Sequence, residues 1–275
     1  MNEEFVSNMK HVEECKTDCQ PPKYVDVMTV QKLQKSLENV LDPLGFEVHP
    51  FKIGWYNEKV QTPFHLSYHE DTVAFCVISS PSMFEKAFKP YVQSLKVLGS
   101  RDPLDDCVGK QYQRLKESLP EHRIVTIQDY ELHPNRRPKI LVQTVGHVSG
   151  GAYYYQRSDM KQDPWGQKKI FGVSIHPRYG GWFAFRGVLI FPDIRSSDLP
   201  KQEPPNVIPT DKGLRDLLEK FNDHWQDNSY RDCIKVEDRY SVEQVEYFGT
   251  LPAERGKLLG LSSEKTTDEK NDRFH

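Results

Sequence analysis

Arg186 sits inside the apolar run WFAFRGVLIF. Arginine cannot shed its proton, so a guanidinium in such company must be paired or neutralised by something else. Its partner is either a carboxylate within the protein or a carboxylate or phosphate of a ligand, and spacing leaves both open. Arg231, in SYRD, and Arg255, in PAER, belong to segments able to fold back onto the same sheet. A second group of residues lies upstream. Gly146, Ser149, Gly150 and Gly151 crowd into one apparent helix around His147. Each glycine inside a helix costs about 1 kcal/mol relative to alanine. Close packing of that helix explains such a run, and so does a large flat molecule lying against the backbone. A lone histidine on such a face is either a satisfied core residue or a ligand contact. Tyr153, Tyr154, Tyr155 and Gln156 follow directly and offer flat faces with polar tips.

Other spacings carry less. His65 and His69 are four apart, but Pro63 and the HLSYH sequence make a poor helix for a zinc site. His11, Cys15 and Cys19 would share one helix face, with no evident fourth ligand. The chain has no G-x-x-x-x-G-K-[ST], no G-x-G-x-x-G after a strand, no H-E-x-x-H and no G-x-S-x-G. Those absences argue against a P-loop ATPase, a Rossmann dehydrogenase and a zincin. A net charge of −3 with scattered basic residues argues against a nucleic-acid protein. No stretch of eighteen apolar residues exists to span a membrane. The acidic N-terminus lacks a signal core, and five irregularly spaced cysteines suit a reducing compartment, so a cytoplasmic protein is expected.

The elements that must position these residues can be read in order. Residues 1–27 read as a polar extension, and 29–41 as an amphipathic helix with a threonine cap. Residues 46–55 read as a strand broken at Pro50, and 72–79 (TVAFCVIS) as a strand buried on both faces. Helices are predicted over 83–98 and 104–118, and a strand over 123–128 that delivers Asp129. A helix starting at Pro138 carries Leu141, Val145, Val148 and Ala152 at helical spacing. Strands over 169–176 and 181–191 flank Gly180–Gly181, a hairpin signal. In the second of these, alternation puts Phe183, Phe185, Gly187 and Leu189 on one face and Ala184, Arg186, Val188 and Ile190 on the other. Helices follow over 211–226, 241–248 and 252–259, and 261–275 reads as a polar tail. The expected architecture is α+β, a mainly antiparallel sheet flanked by helices, in one domain over 28–260.

DYELHPNRRPKIL, GAYYYQ, DPWG, IHPRYGGWFAFRG and YRD, with LGFEVHPF and WYNE nearer the start, closely resemble the MMACHC (CblC) family of cobalamin-processing proteins. The resemblance runs over residues 30–261; the family's Pro- and Ser-rich tail has no counterpart in 261–275. It implies a fold related to flavin-dependent nitroreductases, with a modified dimerisation region. It implies a cobalamin held base-off and stripped of its upper axial ligand. Cyanocobalamin would lose cyanide by reduction, with electrons from FAD or FMN or from a flavoprotein reductase. Alkylcobalamins would lose their alkyl group to glutathione. The implied partners are a CblD-type adaptor and downstream B12 enzymes such as methionine synthase. The D-x-H-x-x-G signature of enzymes that ligate cobalt through histidine is absent, which agrees with base-off binding.

By position, the resemblance carries cobalamin contacts onto Asp129, Ile140, Leu141, Val142, Gln143, Tyr154, Tyr155, Gln156, Phe171 and Phe185, with His147 near the nucleotide tail. The family usually has a small residue where Phe171 stands and an aliphatic one where Phe185 stands, so the pocket wall is expected to differ here. Arg186, Arg231 and Arg255 match its glutathione cluster, where guanidinium forks suit the two carboxylates of the tripeptide. Their expected role is positioning; no protein residue is assigned as a chemical catalyst and none as a metal ligand. Two other classes compete with the enzyme. One is a cobalamin carrier with little turnover, and the other is an ordinary flavin-dependent nitroreductase.

Overall fold

The structure, a computed structural model, describes residues 22–95 and 102–260. In chain order its elements are β1 (Lys23–Tyr24), α1 (Val27–Leu41), β2 (Phe46–Lys52), α2 (Ile53–Asn57), β3 (Thr72–Ser79), α3 (Lys89–Gln93) and α4 (Pro103–Ser118). Then come β4 (Val125–Ile127), α5 (Val142–Val148), β5 (Tyr153–Tyr155), β6 (Val173–Ile175), β7 (Ala184–Arg195), α6 (Asp211–Asp223), α7 (Val242–Gly249) and α8 (Pro252–Leu258). The candidate ligands His11, Cys15 and Cys19, and the tail from 261, lie outside the described residues. Among the described residues no helix is long and apolar enough to cross a membrane.

The main sheet runs β1-β7-β3-β2, with β4 also on β7. Every pairing is antiparallel except the short parallel contact of β1 with β7. β3 is buried along its whole length, as a continuous apolar run requires at the centre of a sheet covered on both sides. Its odd residues Val73, Phe75 and Val77 join α1, α4 and the Leu189 and Phe191 side chains in one core. Its even residues Ala74, Cys76 and Ile78 join Val145 and Val148 of α5 in the other. A second, two-stranded sheet (β5-β6) closes over Leu214, Leu217 and Leu218 of α6. The mixed α+β architecture with an antiparallel-dominated sheet is the expected one.

Several local expectations are corrected. Asp26, not Thr29, caps α1, its carboxylate accepting the Thr29 N–H at 2.8 Å. β2 runs unbroken through Pro50, because β2 is an edge strand and loses no ladder bond there. The expected helix over 83–98 begins as a π-turn, Phe84–Phe88, just before Pro90, whose missing N–H leaves the helical ladder without one bond. The glycine-rich helix starts at Val142 rather than Pro138, which instead bridges to Leu132. It stops at Val148, since Gly150 turns left-handed at φ +78°, and Ala152 lies beyond it.

The Gly180–Gly181 pair does not join two paired strands, although a single bridge between His176 and Gly180 closes the turn. β6 pairs with β5, while β7 belongs to the main sheet. The glycines serve close backbone approach. A Cβ on Gly180 would lie 2.2 Å from the Arg231 carbonyl oxygen, and one on Gly181 2.9 Å from the Arg231 Cα.

Alternation along β7 breaks at Arg186. Val77 pairs with Gly187 and Ile78 with Phe185, so Arg186 is the extra residue of a β-bulge. Gly187 takes φ +109° there. The bulge flips the parity of everything after it. Phe183 and Phe185 therefore share their core with Val188 and Ile190, while Leu189 faces the opposite core. Arg186 is thereby separated from Val188 and Ile190, two of the three apolar residues expected on its face.

Candidate functional site

Buried arginine chemistry is concentrated where β7, α4 and the last helices meet. Arg186 is 6% exposed, its Nε donates to Ser79 Oγ at 2.9 Å, and its carbonyl accepts the Tyr112 hydroxyl at 2.8 Å. Among the described residues no carboxylate lies within ion-pair distance of it. Its charge is felt by Asp105 and Asp129 instead. Burial, then the charges of Asp102 and Asp129, push the Asp105 carboxyl up to about 6, against the pull of Arg186 and Arg255. Burial likewise raises Asp129, against the Arg186 charge.

Arg231 and Arg255 do fold back to this region. Arg231 donates to the Gly181 carbonyl and, at 3.0 Å, to Asn228 Oδ1, and its guanidinium lies over Trp182, Tyr230 and Tyr240. Arg255 donates to Asp102 Oδ2 at 2.6 Å and stacks 4.8 Å from the Tyr247 ring. Arg186 and Arg231 both act on the Tyr240 hydroxyl, and Arg186 and Arg255 both act on Asp105. The arginines thus share one electrostatic neighbourhood, although the sequence separates them widely.

Two adjoining cavities open beside the second sheet. One, of about 660 Å³, has a polar wall with Gln156, Arg157, Lys161 and Asp163. The other, of about 540 Å³, is aromatic, with Phe221, Trp225 and Tyr230 beside Gln143. Tyr154, Phe171 and Gly172 line both. Phe171, 57% exposed, projects between them while its backbone is clamped. Asn222 accepts the Phe171 N–H at 2.8 Å and donates to its carbonyl at 3.0 Å. Tyr230 connects the aromatic cavity to the arginine neighbourhood, because Arg231 lies 5.0 Å over its ring.

The glycine-lined wall is not open. A Cβ on Gly146 would lie 2.2 Å from the Phe185 ring, and one on Gly151 2.9 Å from Ile78 Cδ1. Close packing of helix on sheet accounts for these glycines, and the space beside them is filled by the protein itself. His147 accepts the Tyr154 N–H on Nδ1 at 3.2 Å, which leaves its proton on Nε2, 3.9 Å from Glu203. Burial lowers its pKa. His65 bonds the Val60 carbonyl, and His69 Nδ1 accepts the Asp71 N–H. The thiols of Cys76 and Cys107 are pushed by burial up to about 12 and about 11, far from nucleophilic.

Glu47, His49 and His176 place their ligand atoms within 4.8 Å of one another. His176 Nδ1 accepts the N–H groups of Arg178 and Tyr179, so its Nε2 carries the proton it shares with Glu47. Burial alone would raise Glu47, but the hydrogen bond from His176, the His49 imidazole 3.4 Å away and the charges of His176 and Arg178 outweigh it and hold the carboxyl well below its ordinary range. The His176–Glu47 bond ties β2 to the loop before β7, with His49 beside it, and the trio was not singled out from the sequence.

The Methylmalonic aciduria and homocystinuria type C (MMACHC) family matches residues 45–259. The chain belongs to this family. It is 54% identical over 232 residues to a Gallus gallus protein named cyanocobalamin reductase / alkylcobalamin dealkylase, covering 84% of this chain and 98% of that protein. The Homo sapiens protein of the same name is 52% identical, covering 85% of this chain and 83% of its own length. A solved C. elegans B12-trafficking protein CblC, described as a human MMACHC homologue, superposes with a TM-score of 0.77 at 36% identity, covering 90% of this chain and 100% of that one.

Apart from His147, the residues expected to contact cobalamin divide in three. Gln143, Tyr154, Gln156 and Phe171 line the adjoining cavities. Asp129 lies with the arginines. Ile140, Tyr155 and Phe185 are buried in packed cores, with Leu141 and Val142 partly buried against the same core as Ile140, and the Tyr155 hydroxyl bonds Asn206 at 2.8 Å. Sequence reasoning missed Asn222 and Trp225. Trp225, exposed beyond the end of α6, carried a signal as a large aromatic with no core to join; Asn222 carried none.

Proposed function

We propose that this chain processes vitamin B12 as a cyanocobalamin reductase and alkylcobalamin dealkylase. Cobalamin lies base-off across the two cavities that meet at Phe171, on a scaffold related to flavin-dependent nitroreductases. The aromatic wall of Phe221, Trp225 and Tyr230 suits flat rings, and the polar wall of Gln156, Arg157 and Lys161 suits amides and a phosphodiester. His147 is set as an Nε2–H donor, so it offers hydrogen bonding to the nucleotide tail rather than a lone pair to cobalt. Without a lower nitrogen donor the upper ligand is more easily lost.

For dealkylation, the arginine neighbourhood holds glutathione by its carboxylates. The thiolate sulfur attacks the cobalt-bound carbon in line. The C–S bond forms, the Co–C bond breaks, and both of its electrons stay on cobalt, giving cob(I)alamin and a thioether. Fixing the two reactants supplies much of the acceleration, and nearby positive charge favours the thiolate. For decyanation, a reduced flavin, FMN or FAD, free or carried by a flavoprotein reductase, supplies electrons and cyanide departs; no residue of this chain is assigned to the flavin. A cytoplasmic setting, rich in glutathione, matches the free cysteines. A CblD-type adaptor and methionine synthase are the proposed recipients of the product.

The observation that carries this reading is the buried Arg186 without a carboxylate partner among the described residues, linked through Arg231 and Tyr230 to a double cavity. The test is anaerobic spectroscopy with methylcobalamin and glutathione. Appearance of cob(I)alamin supports the enzyme; an unchanged spectrum after a base-off shift would make the protein a carrier instead.

A further inference from the structure

Of the three arginines, only Arg255 is already paired with a carboxylate of the protein among the described residues. Asp102 is held in a 2.6 Å ion pair with Arg255, both side chains only partly exposed, at 22% and 12%. The same carboxylate caps α4 by accepting the Leu104 N–H at 3.1 Å, and Tyr247 donates to it at 3.3 Å. Asp105 and Asp129 stand nearby, and burial and the Asp102 charge raise both. A peptide bringing two carboxylates would find Arg255 already taken and these acids beside it. Asp105 and Asp129 hold their protons more tightly than ordinary carboxyls, so they take up a proton more readily than usual when another anion approaches. Asp102 has a different exit: it can exchange its guanidinium partner while keeping its place as the helix cap.

We infer that Asp102 is a built-in stand-in for a carboxylate of the thiol peptide. It occupies Arg255 in the unliganded protein, must be displaced when that peptide binds, and so sets the affinity for an acidic thiol. The inference rests on the arginine neighbourhood being the glutathione site. Competition of this kind lowers apparent affinity by the fraction of molecules in which Arg255 is free. Asp102 touches no reacting atom; it is a positioning residue acting through Arg255.

The test uses Asp102→Asn, with Asp102→Ser as a second variant, because both side chains still cap a helix while losing the charge. Steady-state dealkylation of methylcobalamin is run with glutathione and with 2-mercaptoethanol, which has no carboxylate. The expected result is a fall of about five-fold in the ratio of the glutathione KM to the mercaptoethanol KM, on the scale of a partly exposed ion pair. Asp102→Glu, which restores the charge, should return the ratio toward the original. An unchanged or raised ratio in the Asn and Ser variants overturns the inference. Arg186→Gln is run alongside. If it raises the ratio while the Asp102 variants leave it alone, only the stand-in role fails. If it leaves the ratio alone, the arginine site itself fails, and the inference with it.

Discussion

Replacing Gly146 by alanine separates the two meanings of the glycine-rich helix. A ligand bed and a tight protein contact predict opposite outcomes. The added methyl would lie 2.2 and 2.3 Å from two carbons of the Phe185 ring. That ring is buried and packed edge-on against Phe183 at 5.1 Å, so it has little room to retreat. Overpacking of this kind costs about 1–3 kcal/mol. Alanine returns up to about 1 kcal/mol of helix propensity. The net expectation is a loss of about 1–2 kcal/mol, read as a lower urea midpoint at unchanged slope. Phe185→Ile opens the space. The double variant should therefore be more stable than the sum of the single losses predicts, by about 1–2 kcal/mol of coupling. A Gly146→Ala protein of undiminished stability that binds cobalamin poorly would refute the packing argument and restore the ligand bed.

Further consequences can be checked with the same tools. Gly187→Ala should cost at least about 2 kcal/mol in urea unfolding, since φ is +109° and a Cβ would sit 2.0 Å from the Ile127 carbonyl oxygen; a loss under about 0.5 kcal/mol would mean that β4 does not seat against the bulge. Asp105, raised to about 6 chiefly by burial, binds its proton more tightly folded than unfolded, so its stabilising effect is present at low pH and lost as pH rises through about 6. Asp105→Asn should accordingly gain about 1 kcal/mol over the parent near pH 8, after discounting for its partial exposure, and nothing near pH 3.5; equal urea midpoints at both pH values would contradict this. Phe171→Ser should leave stability within about 0.5 kcal/mol, because the ring is 57% exposed, yet join the two cavities and change the cobalamin Kd by at least about three-fold. An unaltered Kd in titration would remove Phe171 from the pocket wall.

Much of this protein was determined by local sequence. The all-apolar TVAFCVIS run specified a central strand, because only a sheet covered on both faces buries consecutive apolar side chains. Leu214, Leu217 and Leu218 specified the inner face of α6 by their spacing. The oddity of Arg186 in an apolar strand was also plain, since a charge there demands an explanation whatever the fold. Long, distinctive segments such as IHPRYGGWFAFRG carried the family.

Only the tertiary structure decided what those residues face. The bulge at Arg186 inverted the two faces of β7, and alternation cannot foresee an inserted residue whose cause is a partner strand far away in sequence. The Gly180–Gly181 pair read as a hairpin turn, but its reason is the Arg231 backbone passing overhead. Gly146 read equally as close packing or as room for a ligand, and the Phe185 ring fills that room. Pairing of Arg255 with Asp102 joins residues 153 positions apart, and Arg186 shares Asp105 with Arg255 from a third segment of the chain. Periodicity reports which side of an element is apolar; it holds no information about which distant segment arrives there, and that arrival is what makes a site.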